Sequence, residues 1–117
     1  VGFVSWSDVL GSDEVAPGTV TSVELGEGDD VVVWRTASGR LAACDSRCPH
    51  QWSHLAAAGV VDGEELVCLS HFWRFDTDGH GSKLSMTGRR DPKGDVGTYA
   101  VRESDGRIEV LLADPAG

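Results

Sequence analysis

Basic residues are scarce in this chain: ten lysines and arginines stand against nineteen carboxylates, for a net charge of −9. A surface of that sign repels a phosphate backbone, which excludes nucleic acid and leaves proteins, preferably with a basic face, as the expected partners. Cysteine is scarce as well. Three cysteines in 117 residues do not make the disulfide framework of a small secreted domain. No apolar run approaches the eighteen residues of a membrane span, and no charged-then-apolar leader opens the chain. Repeats, linkers and low-complexity stretches are also missing. Together these absences predict one soluble domain over residues 1–117, a monomer in a reducing cytoplasm.

Turn signals, by contrast, are abundant: Ser38-Gly39, Asp62-Gly63, Asp78-Gly79 and Asp105-Gly106. Short β-rich runs lie between them. Thr19 to Leu25 alternates imperfectly, and Val31-Val32-Val33-Trp34-Arg35-Thr36 reads as a central strand. Leu41 to Cys44 pairs with it across Ser38-Gly39, and Thr98 to Arg102 closes a hairpin with Arg107 to Leu112. Many short strands with frequent turns predict an all-β fold, a small antiparallel sandwich or barrel. Ser7 is expected to cap a single helical turn through Leu10, stopped by Gly11, and Asp114 to Gly117 to fray.

The chemistry is concentrated in Cys48-Pro49-His50, seventeen further residues, and Cys68-Leu69-Ser70-His71. Two Cys-plus-His pairs suit a metal centre with two thiolates on one side and two imidazoles on the other. Pro49 stiffens the first pair by fixing φ. Between the pairs, Gly59 to Val67 reads as two short apolar strands around Asp62-Gly63, a hairpin that brings the two loops together. A zinc-stabilised interaction module is the rival, since two cysteines and two histidines also bind zinc; the usual Cys-x₂₋₄-Cys and His-x₃₋₅-His spacings are absent.

The motif resembles that of the Rieske [2Fe–2S] family, down to the Cys48-Pro49-His50 triplet and the His71-Phe72-Trp73-Arg74-Phe75 that follows the second pair. The resemblance implies a [2Fe–2S] cluster held by Cys48, His50, Cys68 and His71, in a two-loop subdomain over about residues 45–75. It further implies an electron carrier of the bacterial ring-hydroxylating systems, not an enzyme by itself, taking single electrons from a flavin-dependent reductase to a terminal oxygenase. The alternative within the family is the N-terminal Rieske domain of a non-haem iron oxygenase. Its mononuclear iron needs two histidines and a carboxylate, and only His54 and His80 remain here. Respiratory relatives tie the two loops with a disulfide; the matching positions are Ser53 and Ser70, so that bond is expected to be missing.

The remaining candidates have plainer readings. Cys44 ends an apolar run and is expected to pack as a small hydrophobe. His54 reads as loop packing or a surface hydrogen bond, and His80 as an exposed turn residue. Gln51, Trp52 and Phe72 are expected at the outward edge beside His50 and His71. One of Trp73 and Phe75 should enter the core, with Arg74 solvated.

Overall fold

The computed structural model describes residues 4–26, 29–49 and 53–113. His50, Gln51, Trp52 and the expected fraying end Asp114–Gly117 lie outside the described residues. The described residues form twelve strands and one short α-helix: β1 (Val4–Gly11), β2 (Thr19–Gly26), β3 (Asp29–Arg35), β4 (Leu41–Asp45), α1 (Leu55–Ala58), β5 (Gly59–Asp62), β6 (Glu65–Cys68), β7 (Trp73–Phe75), β8 (Gly81–Leu84), β9 (Arg90–Pro92), β10 (Thr98–Tyr99), β11 (Val101–Ser104) and β12 (Arg107–Ala113). They form three antiparallel sheets, in the orders β1-β12-β11, β10-β4-β3-β2 and β5-β6-β7-β8-β9. The all-β expectation holds, as open layers; the described residues close no barrel.

The central sheet is covered on both faces. Val32, Trp34, Ala42 and Cys44 point into a buried cluster with Leu55, Leu66, Cys68 and Phe75. Val31, Val33 and Ala43, one residue out of phase, pack with Val15, Ile108 and Val110 on the opposite side. Successive side chains of a strand alternate faces, so a strand covered on both sides must be apolar at every position. That is why the run Val31 to Trp34 does not alternate. A one-residue slip would exchange the two cores, which fixes the register Val32↔Cys44 and Trp34↔Ala42.

Two local expectations are corrected. Ser7 to Leu10 is not helical: it lies in β1, paired with β12 through Ser7↔Val110 and Leu10↔Ile108. One helical turn would close a single hydrogen bond at the cost of nucleation, whereas the ladder satisfies the whole segment. A short 3-10 turn does occur, one step later, at Ser12–Glu14. The run Thr98 to Arg102 is two strands: β10 pairs with β4 and β11 with β12. The chain passes between sheets at Ala100, whose carbonyl accepts from the Leu111 amide at 2.9 Å.

Candidate metal centre

Two loops meet on the cluster-side face of the central sheet. The first runs from Ser46 to His54 and closes like a noose. Leu55 N–H donates to the Ser46 carbonyl at 2.7 Å, Cys48 N–H donates to the Ser53 carbonyl at 2.9 Å, and Arg47 and His54 face each other in a bridge between those rungs. The second loop, Leu69–Phe72, joins β6 to β7 as a four-residue turn closed by the Cys68↔Trp73 pair. Phe72 N–H donates to the Cys68 carbonyl at 2.7 Å, and Phe72 ends the turn at φ 63°. A side chain at positive φ costs about 1–3 kcal/mol, so the hairpin geometry is imposing that conformation.

The hairpin β5–β6 carries the second loop to the first, as the spacer predicts. Gly63 opens its two-residue connection at φ 62°, a conformation glycine adopts without a Cβ penalty. At the other end, Gly59 lets β5 leave α1 closely. A Cβ there would stand 2.2 Å from the Leu55 carbonyl oxygen. Leu69 N–H then donates to the Ala58 carbonyl at 2.8 Å, and the Ser53 and Ser70 hydroxyls hydrogen-bond across the loops at 2.7 Å. A hydrogen bond thus stands where the respiratory proteins are expected to place a disulfide. None of the three cysteines is in a disulfide.

Of the four expected ligands, Cys48 and Cys68 are each 1% exposed and share one buried cluster. His71 stands on the exposed side of the second loop; His50 lies outside the described residues. Buried thiols beneath an exposed imidazole fit a centre whose sulfur side faces the core and whose nitrogen side faces outward. Cys44 is 2% exposed within β4, and burial, with a smaller contribution from Asp45, pushes its thiol up to about 12. It packs as expected.

His54 is neither loose nor poised toward a metal. Its Nδ1 accepts from the Ala56 amide at 3.1 Å, capping α1, and its Nε2 lies 2.6 Å from Asp30 Oδ2. Because Nδ1 is an acceptor, the proton sits on Nε2 and is donated to the carboxylate. The other oxygen, Asp30 Oδ1, accepts from Ser46 Oγ at 2.5 Å. Asp30 escapes sequence reasoning altogether, because its partners are 16 and 24 residues away. His80 is 68% exposed in its side chain, with Nδ1 3.4 Å from Asp95. Phe75 is the buried aromatic of its pair, at 1% exposure, and Trp73 packs partly against the same cluster. Arg74 departs from expectation: it is held by Asp62 and, at 2.9 Å, by Glu65. Arg90 reaches the same Glu65 at 2.7 Å.

The surface around the loops differs from the rest of the chain. From Ser46 to Val61 and from Leu66 to Trp73 there is no carboxylate, and Arg47 is the one formally charged residue (histidines taken as neutral). Leu69 and Phe72 are 47% and 58% exposed beside His71. Loop segments with no carboxylate of their own, on a chain of net charge −9, suit desolvated contact with a protein.

Comparison with known proteins follows the same line. The family model for the Rieske [2Fe–2S] domain matches residues 5–108. The 4β-methylsterol monooxygenase of Methylococcus capsulatus is 38% identical over 93 residues, 76% of this chain and 25% of that protein. A cholesterol 7-desaturase of Ciona intestinalis is 38% identical over 74 residues, 63% of this chain and 16% of that protein. Among solved structures, the ferredoxin of carbazole 1,9a-dioxygenase from Nocardioides aromaticivorans superposes with a TM-score of 0.70 at 28% identity, covering 91% of this chain and 96% of that one. The chain therefore spans a quarter or less of these curated relatives.

Proposed function

The chain belongs to the Rieske [2Fe–2S] domain family, and we propose that it serves as a ferredoxin, with Cys48, His50, Cys68 and His71 as the ligands of its cluster. The cluster supplies one-electron transfer, and electron transfer is the work of this domain. The observation that carries the ligand assignment is the pairing of Cys48 and Cys68, both buried in one cluster, with an exposed His71 on a loop hydrogen-bonded to the other.

The chain's own residues divide the labour. The two thiols sit beneath the loops, where the core keeps water away from them. His71, flanked by Leu69 and Phe72, offers the outward route for the electron. Leu69 and Phe72 form the contact that excludes water when a partner docks, and the absence of carboxylates there removes charges that would otherwise be desolvated. The acidic remainder of the surface steers a basic partner from a distance. The donor is a flavin-dependent reductase and the acceptor a terminal oxygenase, with the carrier a cytoplasmic monomer and no enzyme by itself. Among the described residues no helix is long and apolar enough to cross a membrane.

A second reading, that the domain forms the N-terminal part of an oxygenase, is favoured by the far greater length of the monooxygenase and desaturase relatives. Whether the gene continues beyond Gly117 separates the two. The ferredoxin reading is tested by stopped-flow oxidation of the reduced protein by a terminal oxygenase encoded beside it. Transfer that slows as salt rises supports it. A red-brown protein that reduces normally and passes no electron to any such oxygenase refutes it.

A further inference from the structure

Asp30 grips both ends of the first loop, although it belongs to β3. Its Oδ1 takes the Ser46 hydroxyl at 2.5 Å and its Oδ2 takes the His54 Nε2–H at 2.6 Å. Between those two residues lie Cys48 and His50. His54 is locked from its other side, because Nδ1 is occupied by the Ala56 amide at 3.1 Å. With one ring nitrogen accepting and the other donating to a carboxylate, the imidazole has no lone pair left for a metal. The carboxylate is largely covered, with 25% of its side chain exposed, and the His54 ring shows 22%.

We propose that Asp30, Ser46 and His54 form a collar that presets the first loop for its metal and removes His54 from competition as a ligand. Asp30 and His54 are positioning residues that act on the ligands through the loop between Ser46 and His54. The collar ties the first loop to a distant strand of the core by hydrogen bonds. Both bonds go to one charged acceptor, and such bonds are roughly twice as strong as neutral ones. The Ser53–Ser70 bond cannot substitute for it, because that bond joins the loops to each other and not to the core.

The inference rests on the ligand assignment above, and two variants with two readouts separate its failure from that of the assignment. Asp30→Asn keeps the shape and offers only one acceptor to two donors, so one end of the loop is released. His54→Asn keeps an N-cap acceptor for Ala56, a role asparagine fills well, and cannot reach Asp30. In the purified protein, iron release to a chelator under conditions where both proteins are fully folded should be about tenfold faster in each variant, the size of one lost charge-assisted hydrogen bond. The reduced variants should keep a Rieske-type paramagnetic signal, broadened by several loop conformations. Amide exchange, measured on protein as purified whatever metal it carries, should quicken at Cys48 and Leu55 and stay unchanged at Val32 and Val33. Exchange quickened by the same factor throughout β3 and the loop would show a merely structural carboxylate and overturn the collar. So would wild-type iron release, signal and exchange in both variants. A wild-type protein that binds no iron would refute the ligand assignment, while the exchange pattern would still decide the collar.

Discussion

The first loop, Ser46–His54, is anchored to the core by side chains, whereas the second, Leu69–Phe72, takes its shape from its own backbone. Asp30 reaches across from β3 to hold the first. The second is a four-residue turn, closed by Phe72 N–H to the Cys68 carbonyl and finished by a phenylalanine at φ 63°. The difference shows how one metal site can be assembled from a long-range and a short-range solution. A local turn needs only the hairpin that bears it. A long noose loses more entropy when it closes, and it needs bonds from elsewhere to stay in one conformation.

The sharpest break in that comparison comes at the ligands. His71→Ala should abolish the Rieske-type paramagnetic signal entirely, because the nitrogen side of the centre is lost. His54→Ala should keep the signal type while iron leaves faster, since His54 supports the loop and does not bind. Low-temperature spectra of the two reduced variants, with iron content measured on each, check both. An intact signal in the His71 variant, or its complete loss in the His54 variant with iron retained, would reverse the roles of the loops.

Acid should separate the loops next. Hydrogen bonds from Ser46 and then His54 hold the Asp30 carboxyl below its ordinary value against the opposing effect of burial, with smaller help from the charge of Arg47. A carboxyl depressed in the folded state stabilises it above the unfolded value of about 3.9, and that stabilisation is lost as pH falls through the lower folded value. The second loop has no such group between Leu66 and Trp73. Amide protection at Cys48 and Leu55 should therefore fall below about pH 4 before protection at Phe72 does. Simultaneous loss at all three would mean that the whole sheet opens as one unit.

The same contrast explains what was legible in the sequence. The proposed ligands Cys48, His50, Cys68 and His71 stand out in the sequence because each pair is local, and the Asp62-Gly63 turn between them is local too. The central strand was legible because double coverage leaves an unbroken apolar run from Val31 to Trp34. What failed depends on distant partners. Ser7 to Leu10 reads as a capped turn until β12, about a hundred residues away, supplies its ladder. Thr98 to Arg102 is one run whose two halves belong to different sheets. Arg74 reads as solvated because Asp62 and Glu65 come into reach only after β5, β6 and β7 pair. Asp30 carries no sequence signal at all; it is one of nineteen acids.

A smaller effect sharpens the second loop. Phe72→Gly removes strain of about 1–3 kcal/mol and gives back about 0.5–1 kcal/mol through the greater freedom of glycine when unfolded. The variant should be as stable as the parent or up to about 2.5 kcal/mol more so by that difference. Electron transfer to a partner should slow, because a 58% exposed phenyl ring leaves the docking face. Stability and rate would then move in opposite directions. Denaturant melts and stopped-flow rates on one preparation test this, and a stabilised variant with an unchanged rate would remove Phe72 from the docking surface.

The smallest effect is expected at Cys44, which shares its burial with the proposed ligands and not their role. All three cysteines are 2% exposed or less and lie in one cluster. Cys48 and Cys68 stand at the bases of the two loops, while Cys44 is fixed within β4, opposite Val32. Burial, and then the charge of Asp45, raises the Cys44 thiol to about 12. A thiol raised in the folded state stays protonated where the unfolded chain would ionise, so its contribution to stability is complete below the unfolded value of 9.0 and lost as pH rises from there toward 12. At pH 8 the thiolate fraction is about one in ten thousand, and only the thiolate is nucleophilic. Iodoacetamide should therefore leave Cys44 unmodified in the folded protein at pH 8 and label it after denaturation. Cys44→Ala should keep full iron content and an unchanged spectrum, with at most a modest drop in melting temperature from the small cavity. Loss of half the iron in that variant would move Cys44 from the packing of the central sheet into the metal site.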